Sequence, residues 1–215
     1  MGNQWEAVMV NEFTSGFTAS LLLITISELG DKTFFIALCL AMRFPRRWVF
    51  VGATAALALM TTLSVLMGQV LTLLPETTVC HSMIAIFLVF GVKLLYDASR
   101  MGSGSLDAVE QEACDVIVER EAAMKTGWAI VSQSFVMTFL AEWGDRTQFA
   151  TVSLAAIHSP FSVIVGGVLG HTLCAAIAVF SGKAIAARLS EKVITTIGGV
   201  LFLVFAAVSA FECVK

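Results

Sequence analysis

Apolar residues run along the chain in six long blocks, at about 13–42, 48–74, 82–98, 127–157, 161–186 and 193–211, with short polar breaks between them. A bilayer crossing takes about 20 mostly apolar residues, which at about 1.5 Å per residue span a hydrocarbon core of roughly 30 Å. The pattern predicts an all-α integral membrane protein with six transmembrane helices and no large extramembrane domain. The first and fourth blocks are longer than one crossing needs. Each carries charged residues and a glycine near its middle, so these two helices are expected to be kinked or broken at mid-membrane.

Composition agrees with this pattern. Of 215 residues, 58% are hydrophobic and 13% charged, and the mean hydropathy is +0.88. Soluble domains carry roughly 25% charged residues, so the lipid bilayer is the expected surroundings. A net charge of −3 argues against nucleic acid as a partner. The segment Met1 to Phe13 lacks the basic start of a secretory leader, and the first block reads as a retained span. Cys39, Cys80, Cys114, Cys174 and Cys213 are scattered with no C-x-x-C pair. They read as small buried apolar residues plus one loop thiol, with neither zinc nor disulfide chemistry expected.

The basic residues set the expected orientation. Arg43, Arg46 and Arg47 follow the first block. Arg100, Arg120 and Lys125 follow the third, and Lys183, Arg188 and Lys192 follow the fifth. The connections 75–81 and 158–160 have no Lys or Arg. Basic loops stay cytoplasmic, which places both termini on the non-cytoplasmic side. The connection 99–126 is acidic and opens with Gly102-Ser103-Gly104-Ser105. Its Leu106–Met124 stretch suits an amphipathic surface helix, read as a solvated linker face.

The two halves resemble each other. Glu28-Leu29-Gly30-Asp31-Lys32-Thr33 returns as Glu142-Trp143-Gly144-Asp145-Arg146-Thr147 at an offset of 114 residues. Without a gap the offset also carries Ala41 onto Ala155, Gly52 onto Gly166 and Gly68 onto Gly182. With one residue of slippage, Phe87-Leu88-Val89-Phe90 meets Phe202-Leu203-Val204-Phe205. The repeat therefore covers three spans, 1–98 and 127–215, joined by the 99–126 linker. A three-span unit is odd-numbered, so its second copy enters the membrane in the opposite sense. Two inverted three-helix repeats are expected, with a site between them at mid-membrane.

Charges at the centre of a span cost about 2.5–3.5 kcal/mol each on insertion scales and need an offsetting partner. Residues three or four apart on a helix are neighbours, so Glu28 and Asp31 are expected to share a face, as are Glu142 and Asp145. Lys32 and Arg146 can each pair with their own glutamate or with an acid of the other copy. Two bases cannot neutralise four carboxylates, and the remaining two charges match one divalent cation. Oxygen donors suit Ca²⁺, Mn²⁺ or Mg²⁺. Gly30 and Gly144 can open the backbone, and Thr33, Thr147, Ser27 and Gln148 offer further oxygens. Without metal the crowded carboxylates take up protons, so cation and proton compete for one site. His171, near the middle of the fifth block, reads as a hydrogen-bonded interhelical histidine, with proton carriage the alternative. His81 and His158 fall in loops and carry no signal.

On both hexapeptides, the chain resembles the Golgi-type calcium/manganese–proton exchanger family, whose hallmark is a twice-repeated Glu-x-Gly-Asp-(Lys/Arg)-(Thr/Ser). Both copies match at every defined position, and the six-span plan and acidic central connection match as well. The resemblance implies Glu28, Asp31, Glu142 and Asp145 as cation ligands. It also implies export of Mn²⁺ or Ca²⁺ from the cytosol against protons, with no further cofactor. The short N-terminus looks prokaryotic or cyanobacterial, placing the chain in a plasma or thylakoid membrane. A cation channel and an amino-acid exporter of similar topology are the alternatives. An intramembrane enzyme fits less well, because the basic residues lie in short loops rather than in a phosphate pocket. The order of Mn²⁺ and Ca²⁺, and whether the chain forms a homo-oligomer, are open at this point.

Overall fold

The computed structural model describes residues 2–101, 111, 114, 115, 117, 125–181 and 191–213. Eight α-helices follow one another among these residues: α1 (Gly2–Glu28), α2 (Lys32–Arg43), α3 (Arg46–Leu71), α4 (Glu76–Arg100), α5 (Gly127–Glu142), α6 (Arg146–Ile157), α7 (Pro160–Ala176) and α8 (Glu191–Cys213). A π-helical turn, Ile177–Ser181, continues α7. There is no strand among the described residues.

Four segments are long and apolar enough to cross a membrane: α3, α4, α7 with its π-helical continuation, and Lys192–Phe211 of α8. The first and fourth apolar blocks are each split into two helices, so α2, α5 and α6 are short pieces of interrupted pairs. Two boundaries differ from the sequence reading. Helix α1 begins at Gly2 rather than near residue 13, and α4 begins at Glu76 rather than 82. Pro75 precedes α4 and Glu76 sits in its first turn, where a negative charge favours the exposed N–H groups. His81 therefore lies inside a helix, with Nδ1 2.5 Å from the Thr77 carbonyl, and not in a loop. His158 caps the end of α6.

The outer faces carry large apolar side chains without cover, among them Leu66, Val70, Val89, Leu140, Leu173 and Val204. Such a continuous apolar exterior on long helices is a lipid-facing surface. Inside, lipid supplies no hydrophobic drive between helices, and small residues let the backbones approach. Gly52 of α3 lies against the Val131 carbonyl of α5, and Gly166 of α7 against the Phe17 carbonyl of α1. Gly91 of α4 and Gly199 of α8 face each other's backbones. Helix α2 is buried from Thr33 to Ala41 and packs with Val49, Ala53, Ile130 and Met137 in one core. Residues Ala150 and Leu154 of α6 join Leu23, Val65, Phe87 and Phe202 in a second core.

The expectation of unpaired cysteines is corrected. Cys39 is bonded to Cys114, and Cys80 to Cys213, leaving only Cys174 as a free, buried thiol. The partners are 75 and 133 residues apart, and only the folded packing brings them together. The first bond ties α2 to the linker. Within it, Gln111, Cys114, Asp115 and Ile117 are helical, and Ile117 is buried against the α2 core. Gln111 and Asp115 are exposed, as an amphipathic helix requires. Gly102 to Ser105, Glu119, Glu121, Arg120, Lys183 and Arg188 lie outside the described residues. Labelling of unfolded, unreduced protein with a maleimide should add one label, and labelling after reduction five. Five labels without reduction would contradict both bonds.

Candidate metal centre

Each hexapeptide is a helix stop followed at once by a helix start. Helix α1 ends at Glu28 and α5 at Glu142. Gly30 and Gly144 then take φ of +76° and +81°, the left-handed conformation that ends helices and that glycine adopts without a side-chain clash. The chain turns back tightly, with the Asp31 N–H donating to the Glu28 carbonyl (3.2 Å) and the Asp145 N–H to that of Glu142 (3.1 Å). Both aspartates are extended and cap the next helix. Asp31 Oδ1 accepts from the Lys32 N–H (2.7 Å), and Asp145 Oδ2 from the Thr147 N–H (3.4 Å). Aspartate at this position meets the orphan N–H groups of a first turn. In the second copy the Gly144 N–H is taken by Gln148 Oε1 at 2.7 Å, so Gln148 braces the turn. Glu28 and Asp31 thus straddle a break instead of sharing the face of one helix, because Gly30 turns the chain between them. Glu142 and Asp145 do the same across Gly144.

The breaks bring acids of both halves together. One carboxylate oxygen from each of Glu28, Glu142 and Asp145 lies within 4.8 Å of the other two. Glu28 and Glu142 are 2% and 3% exposed. Thr33 Oγ1 donates to Glu28 Oε2 at 2.7 Å. Thr147 Oγ1 lies 3.1 Å from Glu142 Oε2 and 3.2 Å from Asp145 Oδ2, and its single proton serves one of them at a time. Asp31 stands apart from the trio. Arg146 Nη2 donates to Asp31 Oδ2 at 2.7 Å and to the Ser27 carbonyl at 3.0 Å. The arginine therefore reaches across to the other half and leaves its neighbour Glu142 with the trio. Lys32, its counterpart, has an exposed side chain.

Beside Glu28 lies a cavity of about 10 Å³, lined in part by Thr33, Leu57, Thr138 and Cys174. That is room for about one water-sized particle. His171 of α7 enters the same region, 4% exposed, with Nδ1 3.9 Å from Glu28 Oε1. Neither atom has a hydrogen-bond partner. Thr138, four residues before Glu142, was not singled out in the sequence. Its position one turn along an apolar helix from a buried acid is the signal that marks it. The hydroxyls of Thr25, Ser27, Ser134 and Thr138 are likewise buried without partners.

A helical bundle with a lipid-facing apolar exterior and a buried knot of carboxylates at paired helix breaks has the build of a membrane cation carrier. The sequence model of one such family, the divalent cation/proton antiporter GDT1, matches residues 16–102 and 130–215. The chain belongs to the GDT1 family, a family of transporters rather than enzymes. It is 55% identical over 199 residues to a GDT1-like protein of Synechocystis sp., covering 91% of this chain and 96% of the relative. It is 40% identical to the chloroplastic GDT1-like protein 2 of Oryza sativa and 39% identical to the chloroplastic PAM71-homolog of Arabidopsis thaliana. These matches cover 97% and 96% of this chain, and 64% and 62% of the plant proteins. No solved structure matches the chain.

Proposed function

We propose that the protein exports Mn²⁺ or Ca²⁺ from the cytosol in exchange for protons, by alternating access at the carboxylate trio. The observation that carries this reading is the meeting of Glu28 with Glu142 and Asp145 from the other half within 4.8 Å, in a buried place. In this arrangement Glu28, Glu142 and Asp145 ligate the cation, and Arg146 holds Asp31 beside them. Protons occupy the same oxygens when the cation leaves, which couples the two fluxes.

The contacts support two three-span repeats, 1–98 and 127–215, running in opposite senses, with 99–126 as linker. Trp48 at the start of α3 packs on Gly127 at the start of α5, so these helices start on one side. The far end of α3 meets the end of α6 through Gln69 Nε2 and the Ala155 carbonyl (2.6 Å). Helix α7 starts there, and Phe13 of α1 lies 6.1 Å from its Phe161. Helices α1 and α5 are equivalent in the repeat yet begin on opposite sides. Equivalent residues also meet each other, as Phe87 and Phe202 do at 5.9 Å. A two-fold relation between the repeats would produce such meetings, and in this reading the meeting of Glu28 with Glu142 is another of them.

Arg43, Arg46, Arg47, Arg100 and Lys125 gather at the Trp48 end, which is the cytoplasmic end by the basic-loop rule. Both termini then face the other side. A cyanobacterial-type plasma or thylakoid membrane agrees with the sources of the relatives.

Purified protein in liposomes with a pH dye inside tests the exchange. Mn²⁺ or Ca²⁺ added outside should expel protons and make the interior more alkaline. No change would sink the reading. Because protons and cation share oxygens, the cation concentration for half-maximal exchange should rise as pH falls. A pH-independent value would mean that the two do not compete.

A further inference from the structure

We infer that His171 is a nitrogen ligand to the transported cation and biases the site toward Mn²⁺ over Ca²⁺. The inference rests on the exchange reading for the word "transported", and on geometry for the ligand itself. His171 Nδ1 and Glu28 Oε1 face each other at 3.9 Å, both buried and both without a partner. The gap is too long for a hydrogen bond. Two ligands about 2.1 Å from a small divalent ion stand about 3 Å apart when adjacent and about 4.2 Å apart when opposite. The observed gap falls between these limits, so one ion can touch both atoms. His171 lies outside the 4.8 Å carboxylate cluster, and Glu28, which belongs to it, is the residue that joins the imidazole to the trio's ion. The other oxygen of Glu28 is already engaged by Thr33, which leaves Oε1 to bridge.

The packing of α7 brings the imidazole here. Gly166 and Gly170 bring it against α1 at the Phe17 and Leu21 carbonyls, within reach of the helix that ends in Glu28. The repeat itself does not account for a histidine. The 114-residue offset puts Leu57 at the equivalent place, and Leu57 lines the cavity beside Glu28. The imidazole is a one-sided addition to an otherwise duplicated oxygen cage. Ca²⁺ takes oxygen ligands, whereas imidazole nitrogen is a ligand of first-row transition ions. A single imidazole among carboxylates therefore separates two ions that oxygen donors alone treat alike.

The test uses full-length protein loaded with Mn²⁺ below one equivalent. Pulsed electron spin resonance should show nitrogen coupled to the bound Mn²⁺, and the coupling should change when the protein is made with ¹⁵N-histidine. A signal unchanged by the isotope overturns the ligand assignment, and this arm needs no variant to fold. In liposomes, His171→Gln should lower the preference for Mn²⁺ over Ca²⁺, read as the ratio of half-maximal concentrations, by about tenfold. An unchanged ratio overturns the selectivity role. If the native protein exchanges neither ion for protons, the exchange reading fails, and the isotope result alone decides the nitrogen ligand.

Discussion

Glu28→Gln and Glu142→Gln should each reduce cation-driven proton movement in liposomes by more than about 100-fold while leaving the protein folded. Groups that only orient a metal's ligands are worth about 10–100-fold in affinity, and a ligand itself is worth more. The amide keeps the shape and one acceptor oxygen, so Thr33 or Thr147 can still donate. It removes the charge and the proton site together. Both glutamates are buried beside further carboxylates, so a neutral amide relieves repulsion, and thermal stability without cation should hold or rise. The check is a paired measurement on each variant, proton flux beside melting temperature in detergent. Normal exchange by either variant would remove the trio from the mechanism. A collapse in stability with lost flux would instead assign the glutamates to holding helices together.

Arg146→Gln should be the most damaging change to the scaffold around the site. The guanidinium ties Asp31 and the Ser27 carbonyl of one half to the first turn of α6 in the other. Removing one partner of a buried pair costs about 3–5 kcal/mol. The pair here is about a quarter exposed, so the loss should fall below that range. Arg146→Lys keeps the charge on a shorter side chain without the planar guanidinium, and it should retain part of the stability. Adding Asp31→Asn to Arg146→Gln should recover stability, since no unpaired acid is then left behind, without recovering exchange. Melting curves of the single and double variants measure this coupling. Additive losses would show that the two residues do not depend on each other.

Much of this architecture is legible in the sequence because it is locally encoded. A glycine followed by an aspartate inside an apolar block specifies a helix end and the cap of the next helix, and the block lengths set how many helices can cross. The offset between the two hexapeptides carries through to the helix ends: Glu28 and Glu142 close helices, Lys32 and Arg146 open them, and so do Arg46 and Pro160. What stayed hidden depends on contacts between distant segments. Nothing near Cys39 points to Cys114, and nothing near Cys80 points to Cys213. Arg146 can reach Glu142 or an acid of the other half, and only the packing of α1 against α6 selects Asp31. His171 looks like any polar residue in a span until α7 closes on α1. The pairing of Glu28 with Asp31 on one face failed for a local reason that was present in the sequence. The i, i+3 rule holds within a continuous helix, and Gly30 ends the helix between them.

The crossing of partners between halves bears on how the chain is made. Helix α3 docks on α5 and α7 on α1, so each half offers its packing surface to the other and keeps little for itself. During synthesis the first half enters the bilayer alone, with Glu28 lacking Glu142 and Asp145, and Asp31 lacking Arg146. It must stay hydrated or protonated until α5 and α6 arrive. The length of the 99–126 linker sets how long that wait lasts.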